Sequence, residues 1–271
     1  MKNLKIILIS SVILIVLIFA FVSLLKKGPS SVTETDIVSA TTLYSQANTL
    51  LKDGELLKAK DAYQEIVEKF PDSKDISEVE IRLQDLSMRI IFSSLVTPQT
   101  TMYEVKTGDT LSKIAKKFNT TVELIKRSNN LLSDVIKLGK RLRIWTGEFS
   151  CVVDKSQNIL TLTLDGELIK VYRVSTGANN HTPVGKYRIR NKLINPVWHK
   201  DGRMIPPESP ENILGTRWMG FDQLEDYGIH GTTEPETIGQ QITQGCVRML
   251  NKDVEELYSI LPIGTEVTII D

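Results

Sequence analysis

The chain has 271 residues, 33 basic and 33 acidic side chains, and a formal net charge of zero. This length suffices for two or three domains, and a hydrophobic content of 41% is that of a globular rather than a disordered chain. The balanced charge argues against a dedicated nucleic-acid-binding protein. Its two cysteines, Cys151 and Cys246, are too few for a small fold held by several disulfides. They leave one bridge, one metal site or one catalytic thiol as alternatives.

An uncharged apolar run occupies residues 6–25, with lysines on both sides. As a helix rising about 1.5 Å per residue, this run would span about 30 Å, the thickness of the hydrocarbon core of a bilayer. It is longer than the apolar region of a secretory signal peptide, and no Ala-x-Ala cleavage site lies near its end. We therefore predict an uncleaved transmembrane anchor over residues 1–27, with a cleaved signal as the alternative.

The following segment, residues 35–96, has apolar side chains at helical spacing, interrupted at Asp53-Gly54 and Phe70-Pro71. Alanines at positions 47 and 59, a tyrosine at 63 and the proline at 71 resemble one tetratricopeptide-type helical hairpin, and a third helix is predicted from Ile76 to Ile91. One such repeat buries little apolar surface without stacked neighbours. We interpret the segment as a spacer, with a surface that docks a protein partner as the alternative.

Residues 102–145 begin with Tyr103-Glu-Val-Lys-Thr-Gly-Asp-Thr-Leu-Ser-Lys-Ile-Ala115. The pattern predicts a strand, a turn at Gly108-Asp109, two helices and a closing strand. Over essentially its whole length the segment resembles a LysM module. The resemblance implies a small α+β fold of order βααβ and binding to a glycan that contains N-acetylglucosamine, here peptidoglycan.

Residues 148–271 contain short runs rich in β-branched residues, at 151–154, 159–164 and 168–174, separated by turn sequences such as Asp165-Gly166. The exception is a helical pattern over 252–260. A mainly-β domain is therefore predicted, and it contains all three histidines of the chain.

Two motifs in this domain carry residues suited to acyl transfer: Tyr227-Gly-Ile-His230-Gly-Thr and Thr243-Gln-Gly-Cys246-Val-Arg. A cysteine nucleophile needs a thiol that becomes a thiolate near neutral pH, an imidazole that accepts its proton, and backbone N–H groups for the developing oxyanion. Gly245 permits tight backbone geometry that would direct its own amide and that of Cys246 to one point. No paired-ligand spacing typical of zinc is present, so we expect neither a metal nor another cofactor.

The domain resembles the catalytic domain of the L,D-transpeptidases over nearly its full length. The resemblance implies a β-sandwich with the cysteine in a cleft, Cys246 as the nucleophile and His230 as the proton acceptor and donor. It further implies that the Gly231 carbonyl orients the imidazole and that Arg248 holds the site or a substrate carboxylate. Further segments that support the resemblance to this family are Ser175-Thr-Gly177, Thr182-Pro-Val-Gly185, Asn195-Pro-Val-Trp198, Leu214-Gly215 and Leu261-Pro-Ile-Gly-Thr265.

Several further residues bear on this interpretation. Gln244 stands where the family usually has a histidine, and it can form hydrogen bonds but cannot titrate. Three aromatic residues are candidates to line the cleft: Tyr227, Trp198 and Trp218. We interpret Cys151 as a buried apolar residue, not a disulfide partner of the nucleophile, and His181 and His199 as structural residues.

The combined prediction is a multidomain protein of the bacterial cell envelope: a transmembrane helix, a TPR-like helical hairpin, a LysM module and a mainly-β catalytic domain, with the body outside the cytoplasm. The family's reaction implies a thioester between Cys246 and a tetrapeptide stem, then transfer to an amine of a neighbouring stem to give a 3-3 cross-link. Transfer to water, as in an L,D-carboxypeptidase, and a non-catalytic scaffold bound to the wall are the alternatives. The expected partners are peptidoglycan, the membrane and a protein bound by residues 35–96, but not nucleic acid.

Overall fold

The structure, a computed structural model, describes residues 34–271. The predicted anchor, residues 1–27, lies outside this range. Within the described range, no helix combines the length and apolar character needed to cross a membrane. The described chain divides into two compact units, one up to Leu83 and the other from Gln84 to Asp271.

The first unit is helical, as predicted. It contains α1 (Glu34–Lys52), α2 (Leu56–Lys69) and the first half of α3 (Ile76–Phe92). Ala47, Ala59 and Tyr63, three positions of the tetratricopeptide-like pattern, are fully buried. The Tyr63 hydroxyl donates to Asn48 Oδ1 at 2.8 Å, which joins α2 to α1.

The second unit begins with the end of α3 and the LysM module. The module has the predicted βααβ order: β1 (Thr100–Glu104), α4 (Leu111–Lys117), α5 (Val122–Ser128) and β2 (Arg141–Trp145). Its two strands pair antiparallel. Thr110 and Thr121 cap the helices, because their hydroxyls accept hydrogen bonds from backbone N–H groups in the first turns of α4 and α5.

The C-terminal domain is β-rich, with one helix, α6 (Asn251–Ile260). Its strands are β3 (Phe149–Asp154), β4 (Ile159–Leu164), β5 (Glu167–Arg173), β6 (Thr176–Gly177), β7 (Gly185–Ile194), β8 (Trp198–Lys200), β9 (Arg203–Ile205), β10 (Arg217–Phe221), β11 (Gly228–His230), β12 (Gln241–Thr243), β13 (Val247–Arg248) and β14 (Glu266–Ile270). Eight of them form one sheet in the order β13-β11-β10-β7-β14-β3-β4-β5, while β6 pairs with β12 and β8 with β9.

The two edges of the large sheet meet. Ser175, just after β5, exchanges two backbone hydrogen bonds of 2.8 Å with Arg248 of β13. Strand β7 pairs with β14 over residues 185–188 and with β10 over residues 189–194, so it belongs to both halves of the sheet. The bridge between Ser175 and Arg248 satisfies edge-strand groups that would otherwise lack partners. The domain is β-rich, as expected, and its description as a β-sandwich stays a prediction.

The LysM module has a small hydrophobic core of its own, and two further residues of the module belong to the core of the C-terminal domain. Leu124 and Trp145 of the module, Phe149 of the sheet, and Met88 and Ile91 of α3 belong to a single buried cluster. Their joint burial excludes water from both modules at once, so the connection is not a flexible one.

Polar contacts reinforce this junction. The Thr121 hydroxyl donates to the Ser259 carbonyl of α6, and Arg127 Nη1 donates to Ser259 Oγ at 3.0 Å. Arg143 is 1% exposed, and its Nη1 donates to the carbonyls of Ile91 (3.2 Å) and Ser93 (2.7 Å) at the end of α3. A cation at the carbonyl end of a helix is favourable because the helix dipole is negative there.

We predict that Leu124→Ala destabilises the LysM module and the C-terminal domain together. Loss of a buried leucine side chain costs about 2–5 kcal/mol. Hydrogen exchange followed by mass spectrometry should show lost protection in β2 and in β3 alike. Leu132→Ala is the matched control, because Leu132 belongs to the same module but its side chain is fully exposed. Lost protection confined to residues 102–145 would contradict the place of Leu124 in the core of the C-terminal domain.

Candidate active site

The pairing of β11 with β13 brings the two predicted catalytic residues to one face of the sheet. These strands are parallel, with Ile229 opposite Val247 and His230 opposite Arg248. Ile229 and Val247 are fully buried in the core, so the alternate residues project from the opposite face. Cys246 directly precedes β13, and the backbone of Gly228, two residues before His230, is hydrogen-bonded to the Cys246 thiol.

The backbone of the next residue fixes the tautomer of His230. Nδ1 lies 2.6 Å from the Gly231 carbonyl oxygen. Because a carbonyl can only accept, Nδ1 must carry the hydrogen, and Nε2 of the neutral ring is then an acceptor. The ring is 3% exposed. It is therefore a buried base with its lone pair on the nitrogen remote from Gly231.

The electrostatics of the pair favour neutral side chains. The pKa of His230 is lowered to about 4, chiefly by burial and to a smaller extent by the charge of Arg248, while the Gly231 and Leu214 carbonyls oppose this shift. Burial likewise raises the pKa of Cys246 to about 11, although the Gly228 N–H group opposes this rise. The thiol also donates to the Asp226 carbonyl at 3.4 Å. These pKa shifts favour a thiol and a neutral imidazole at neutral pH, so a thiolate on Cys246 would require transfer of the proton to a base.

The loop before Cys246 is held by the Thr243 hydroxyl. This oxygen accepts from the Gly245 N–H group (3.1 Å) and donates to the Cys246 carbonyl (2.7 Å). Gly245 has a φ of +131°, and a Cβ there would lie 2.2 Å from the Tyr227 ring, so both conformation and space require glycine. Contrary to expectation, the Gly245 amide does not point with that of Cys246 towards an oxyanion, because it is engaged by Thr243. The Cys246 N–H group is the candidate donor that is left.

Thr182 begins one of the segments that resemble the family, but sequence analysis assigned it no role of its own; in the structure it is hydrogen-bonded to this loop. It is fully buried, its hydroxyl donates to the Gly245 carbonyl (2.9 Å), and it accepts from the Gly177 N–H group (2.7 Å). Lys155 Nζ donates in turn to the Thr182 carbonyl (3.0 Å). The two sequence segments that contain Gly177 and Thr182 are therefore parts of the support for the nucleophile.

Comparison with known proteins agrees with these contacts. Residues 148–269 match the YkuD model, which describes the L,D-transpeptidase catalytic domain, and residues 103–145 match the LysM domain. YkuD of Bacillus subtilis, which carries the name L,D-transpeptidase, is 34% identical over 174 residues, covering 62% of this chain and 97% of that protein. The chain belongs to the L,D-transpeptidase family.

A second Bacillus subtilis L,D-transpeptidase by name, YqjB, is 39% identical over 130 residues, which cover 46% of this chain and 73% of that protein. Among solved structures, an L,D-transpeptidase from Mycobacterium tuberculosis aligns with 50% of this chain and 64% of its own, with 18% identity and a TM-score of 0.40. The assignment to the family depends on the sequence relatives alone.

Two of the three aromatic candidates of this L,D-transpeptidase touch its catalytic elements. Tyr227 packs against Gly245. Trp218 is paired with His230 between β10 and β11, and their rings stack at 6.1 Å between centroids with 22° between planes. The ring of the third, Trp198, instead contacts Lys200 within the β8–β9 hairpin. The assignment of Trp198 to the cleft stays a prediction.

Arg248 of the L,D-transpeptidase motif is a buried structural cation. It is 5% exposed, and its Nη1 donates to Glu234 Oε2 (2.7 Å) and Thr237 Oγ1 (2.9 Å). These bonds tie β13 to the loop after β11, which agrees with the first of the two roles implied for Arg248, that of holding the site together. Gln244, in contrast, is exposed.

The other histidines and the second cysteine lie outside this constellation. His181 and His199 are exposed, and His181 Nδ1 bonds the Ala178 carbonyl at 2.6 Å. Cys151 is a free, buried core residue, as predicted, and Cys246 is also free. Of the two thiols, only that of Cys246 is partly exposed.

We predict that Asp226→Asn makes the Cys246 thiol more reactive. The charge of Asp226 raises the pKa of Cys246, so its removal favours the thiolate. Alkylation by iodoacetamide at mildly alkaline pH and low salt should accelerate several-fold, since the thiolate is the reacting form. Glu225→Gln, the adjacent exposed carboxylate, is the matched control and should leave the rate unchanged. Equal rates in all three proteins would show that Asp226 does not act on the sulfur.

Proposed function

We propose that this L,D-transpeptidase forms 3-3 cross-links in peptidoglycan through a thioester on Cys246, with His230 as general base and acid. Two observations carry the proposal. Strand β11, which ends at His230, pairs with β13, which begins directly after Cys246, and the bond of His230 Nδ1 to the Gly231 carbonyl makes Nε2 the accepting nitrogen. A thiol and a neutral imidazole in this arrangement are competent for general-base catalysis.

In the first half-reaction, sulfur attacks the carbonyl carbon of the third, diamino acid of a tetrapeptide stem. The thiol proton passes to His230 Nε2 as the C–S bond forms, so no free thiolate accumulates. The oxyanion lies near the Cys246 N–H group. When the C–N bond breaks, the terminal D-alanine departs with the proton from Nε2, which leaves a thioester and a neutral imidazole.

In the second half-reaction, the side-chain amine of a neighbouring stem attacks the thioester. His230 accepts a proton from this amine and returns one to the departing sulfur, which restores the thiol. If water replaces the amine, the same steps give an L,D-carboxypeptidase, which is the second candidate function. A non-catalytic scaffold is disfavoured, because the nucleophile, the base and its orienting carbonyl are all retained although Gln244 replaces a histidine.

We further propose that the LysM module directs the enzyme to wall glycan and that residues 1–27 anchor it in the membrane, with the body outside the cytoplasm. Residues 35–96 would then act as a spacer or as a docking surface for a protein. The presence of two LysM residues in the core of the catalytic domain supports a fixed orientation of the catalytic face relative to a bound glycan.

The cross-linking reaction is tested with the full-length protein and a disaccharide-tetrapeptide. Mass spectrometry should detect a dimer joined between two third-position residues, together with released D-alanine. Cys246→Ala should abolish both products, whereas Cys151→Ala, the matched thiol control, should retain them. Formation of tripeptide without dimer would favour the carboxypeptidase, and full activity of Cys246→Ala would refute the proposed nucleophile.

A carbapenem tests the acyl-enzyme directly, because the family resemblance implies that this class of compound acylates the cysteine. Intact-mass analysis should show one adduct on the wild type and on Cys151→Ala, and none on Cys246→Ala. His230→Gln should slow adduct formation by about 10²–10⁴, the usual contribution of a general base. An adduct rate unaffected by His230→Gln would contradict the role of the imidazole.

A further inference from the structure

Asn251 is the first residue of α6, and its side-chain amide forms hydrogen bonds with two loops outside that helix. Its Oδ1 accepts from the N–H groups of Thr216 (3.2 Å) and Thr232 (3.0 Å), and its Nδ2 donates to the Thr232 carbonyl (2.9 Å). Two donors on one side and one acceptor on the other fix the orientation of the amide. One side chain thus links α6 to the chain after Leu214 and to the chain after His230.

These two loops carry the carbonyls that face the imidazole. The Gly231 carbonyl accepts from His230 Nδ1, and Thr232, held twice by Asn251, is the next residue. The Leu214 carbonyl is the second one that favours a protonated ring, and Thr216, held once, lies two residues further on. Asn251 therefore binds the backbone on the far side of each carbonyl from the ring.

The packing around the amide is equally specific. A Cβ at Gly215 or at Gly231 would lie 2.2 Å from Asn251 Oδ1. Gly215 also has a φ of +65°, a region that favours glycine. The absence of side chains at both positions makes room for the amide, so the two glycines and the asparagine form one interlocking contact.

We infer that Asn251 is a positioning residue for His230: by clamping the two loops it holds the Gly231 carbonyl against Nδ1 and keeps Nε2 as the proton-accepting nitrogen. The inference rests on the proposed function of His230 as the base. When the thiol proton arrives on Nε2, the ring becomes a buried cation, and a carbonyl that cannot move away stabilises it without reorganisation. A ring free to take the other tautomer would present a hydrogen, not a lone pair, to the thiol.

The charged surroundings of the ring set the expected pH effects. The charge of Arg248 on β13 lowers the pKa of His230. Glu234 forms an ion pair with Arg248 and so acts on the ring only indirectly. Cys246 is a further titratable group on this side of the sheet. Trp218 on β10 carries no charge. A carboxylate at position 251 would be a new anion beside the loops that hold the ring, and it would favour the imidazolium.

The test compares Asn251→Ala, Asn251→Asp and the matched control Asn129→Ala in the full-length enzyme. Asn129 of the LysM module likewise uses its amide on backbone groups, accepting from Arg143 N–H (2.7 Å) and donating to the carbonyls of Arg143 (2.7 Å) and Ile125 (2.8 Å). Its loss should lower stability comparably and leave turnover of a soluble tetrapeptide unchanged. Asn251→Ala should lower kcat about tenfold to hundredfold, with KM for the donor nearly unchanged.

Two readouts separate positioning from stability. The NMR signal of the His230 Nδ1 proton, protected by the Gly231 carbonyl, should persist in Asn129→Ala and disappear in Asn251→Ala. Asn251→Asp, which keeps both acceptor contacts, should be more active than Asn251→Ala at alkaline pH, and its acid limb of kcat/KM should move to higher pH. This variant carries the test if Asn251→Ala fails to fold.

Persistence of the Nδ1 signal in Asn251→Ala, or equal activity losses in Asn251→Ala and Asn129→Ala, would overturn the positioning role. So would an Asn251→Asp enzyme no better than Asn251→Ala. The proposed function would still stand in those cases if Cys246→Ala is inactive. An active Cys246→Ala enzyme would instead remove the proposed function itself.

Discussion

The catalytic geometry depends on the parallel pairing of two very short strands, β11 and β13. Two register pairs, Ile229 with Val247 and His230 with Arg248, fix the position of His230 relative to β13, which begins directly after Cys246. So short a ladder needs support from its neighbours. One face is fixed by burial of Ile229 and Val247, and the open edge of β13 is closed by the bridge between Arg248 and Ser175. Closure of the sheet is thus a condition for the catalytic pair and not only a feature of the fold.

Burial sets both the stability and the chemistry of this pair. Withdrawal from water penalises the charged forms of His230 and Cys246 more than the nearby backbone groups favour them, so both are neutral at rest. The cost is a weaker nucleophile, and the gain is a thiol that resists reaction with other electrophiles until a substrate carbonyl arrives. Proton transfer concerted with attack then supplies the nucleophilic sulfur only where the backbone can stabilise an oxyanion.

Local sequence motifs identified His230 and Cys246 as candidate catalytic residues, but they did not identify the residues that hold the surrounding loops in place. His230 and Cys246 lie in short motifs whose residue types indicate acyl transfer. The strands and helices of the LysM module could be predicted from hydrophobic periodicity and turn residues. Thr182, which bonds a residue 63 positions later, and Asn251, which bonds loops 19 and 35 positions earlier, become visible only when the chain is folded. The occupied Gly245 amide was missed for a simpler reason: a glycine allows a backbone conformation but does not say which acceptor its N–H will meet.

The fold was predicted to the level of elements and less well at the level of their pairing. Periodicity identifies a strand and its buried face, yet the order of strands and the meeting of edges depend on tertiary contacts. The same limit applies to the residues of the LysM module that belong to the core of the C-terminal domain. Leu124 and Trp145 were recognisably apolar, but nothing in their spacing distinguished a core within the LysM module from one that includes Phe149 and Ile91.

Helix α6 contacts the loops around His230 at its first residue and the LysM module near its last turn. Asn251 at its first turn holds the loops around His230, while the carbonyl of Ser259 near its last turn accepts from Thr121 of the LysM module. Lys192 Nζ donates to the carbonyls of Tyr258 (2.6 Å) and Leu261 (2.7 Å), which fixes the same end to β7. Eight residues of helix separate the two contacts, a rigid length of about 12 Å. A LysM module held at one end and a general base held at the other cannot reorient independently unless α6 itself moves, and its buried apolar face opposes that movement.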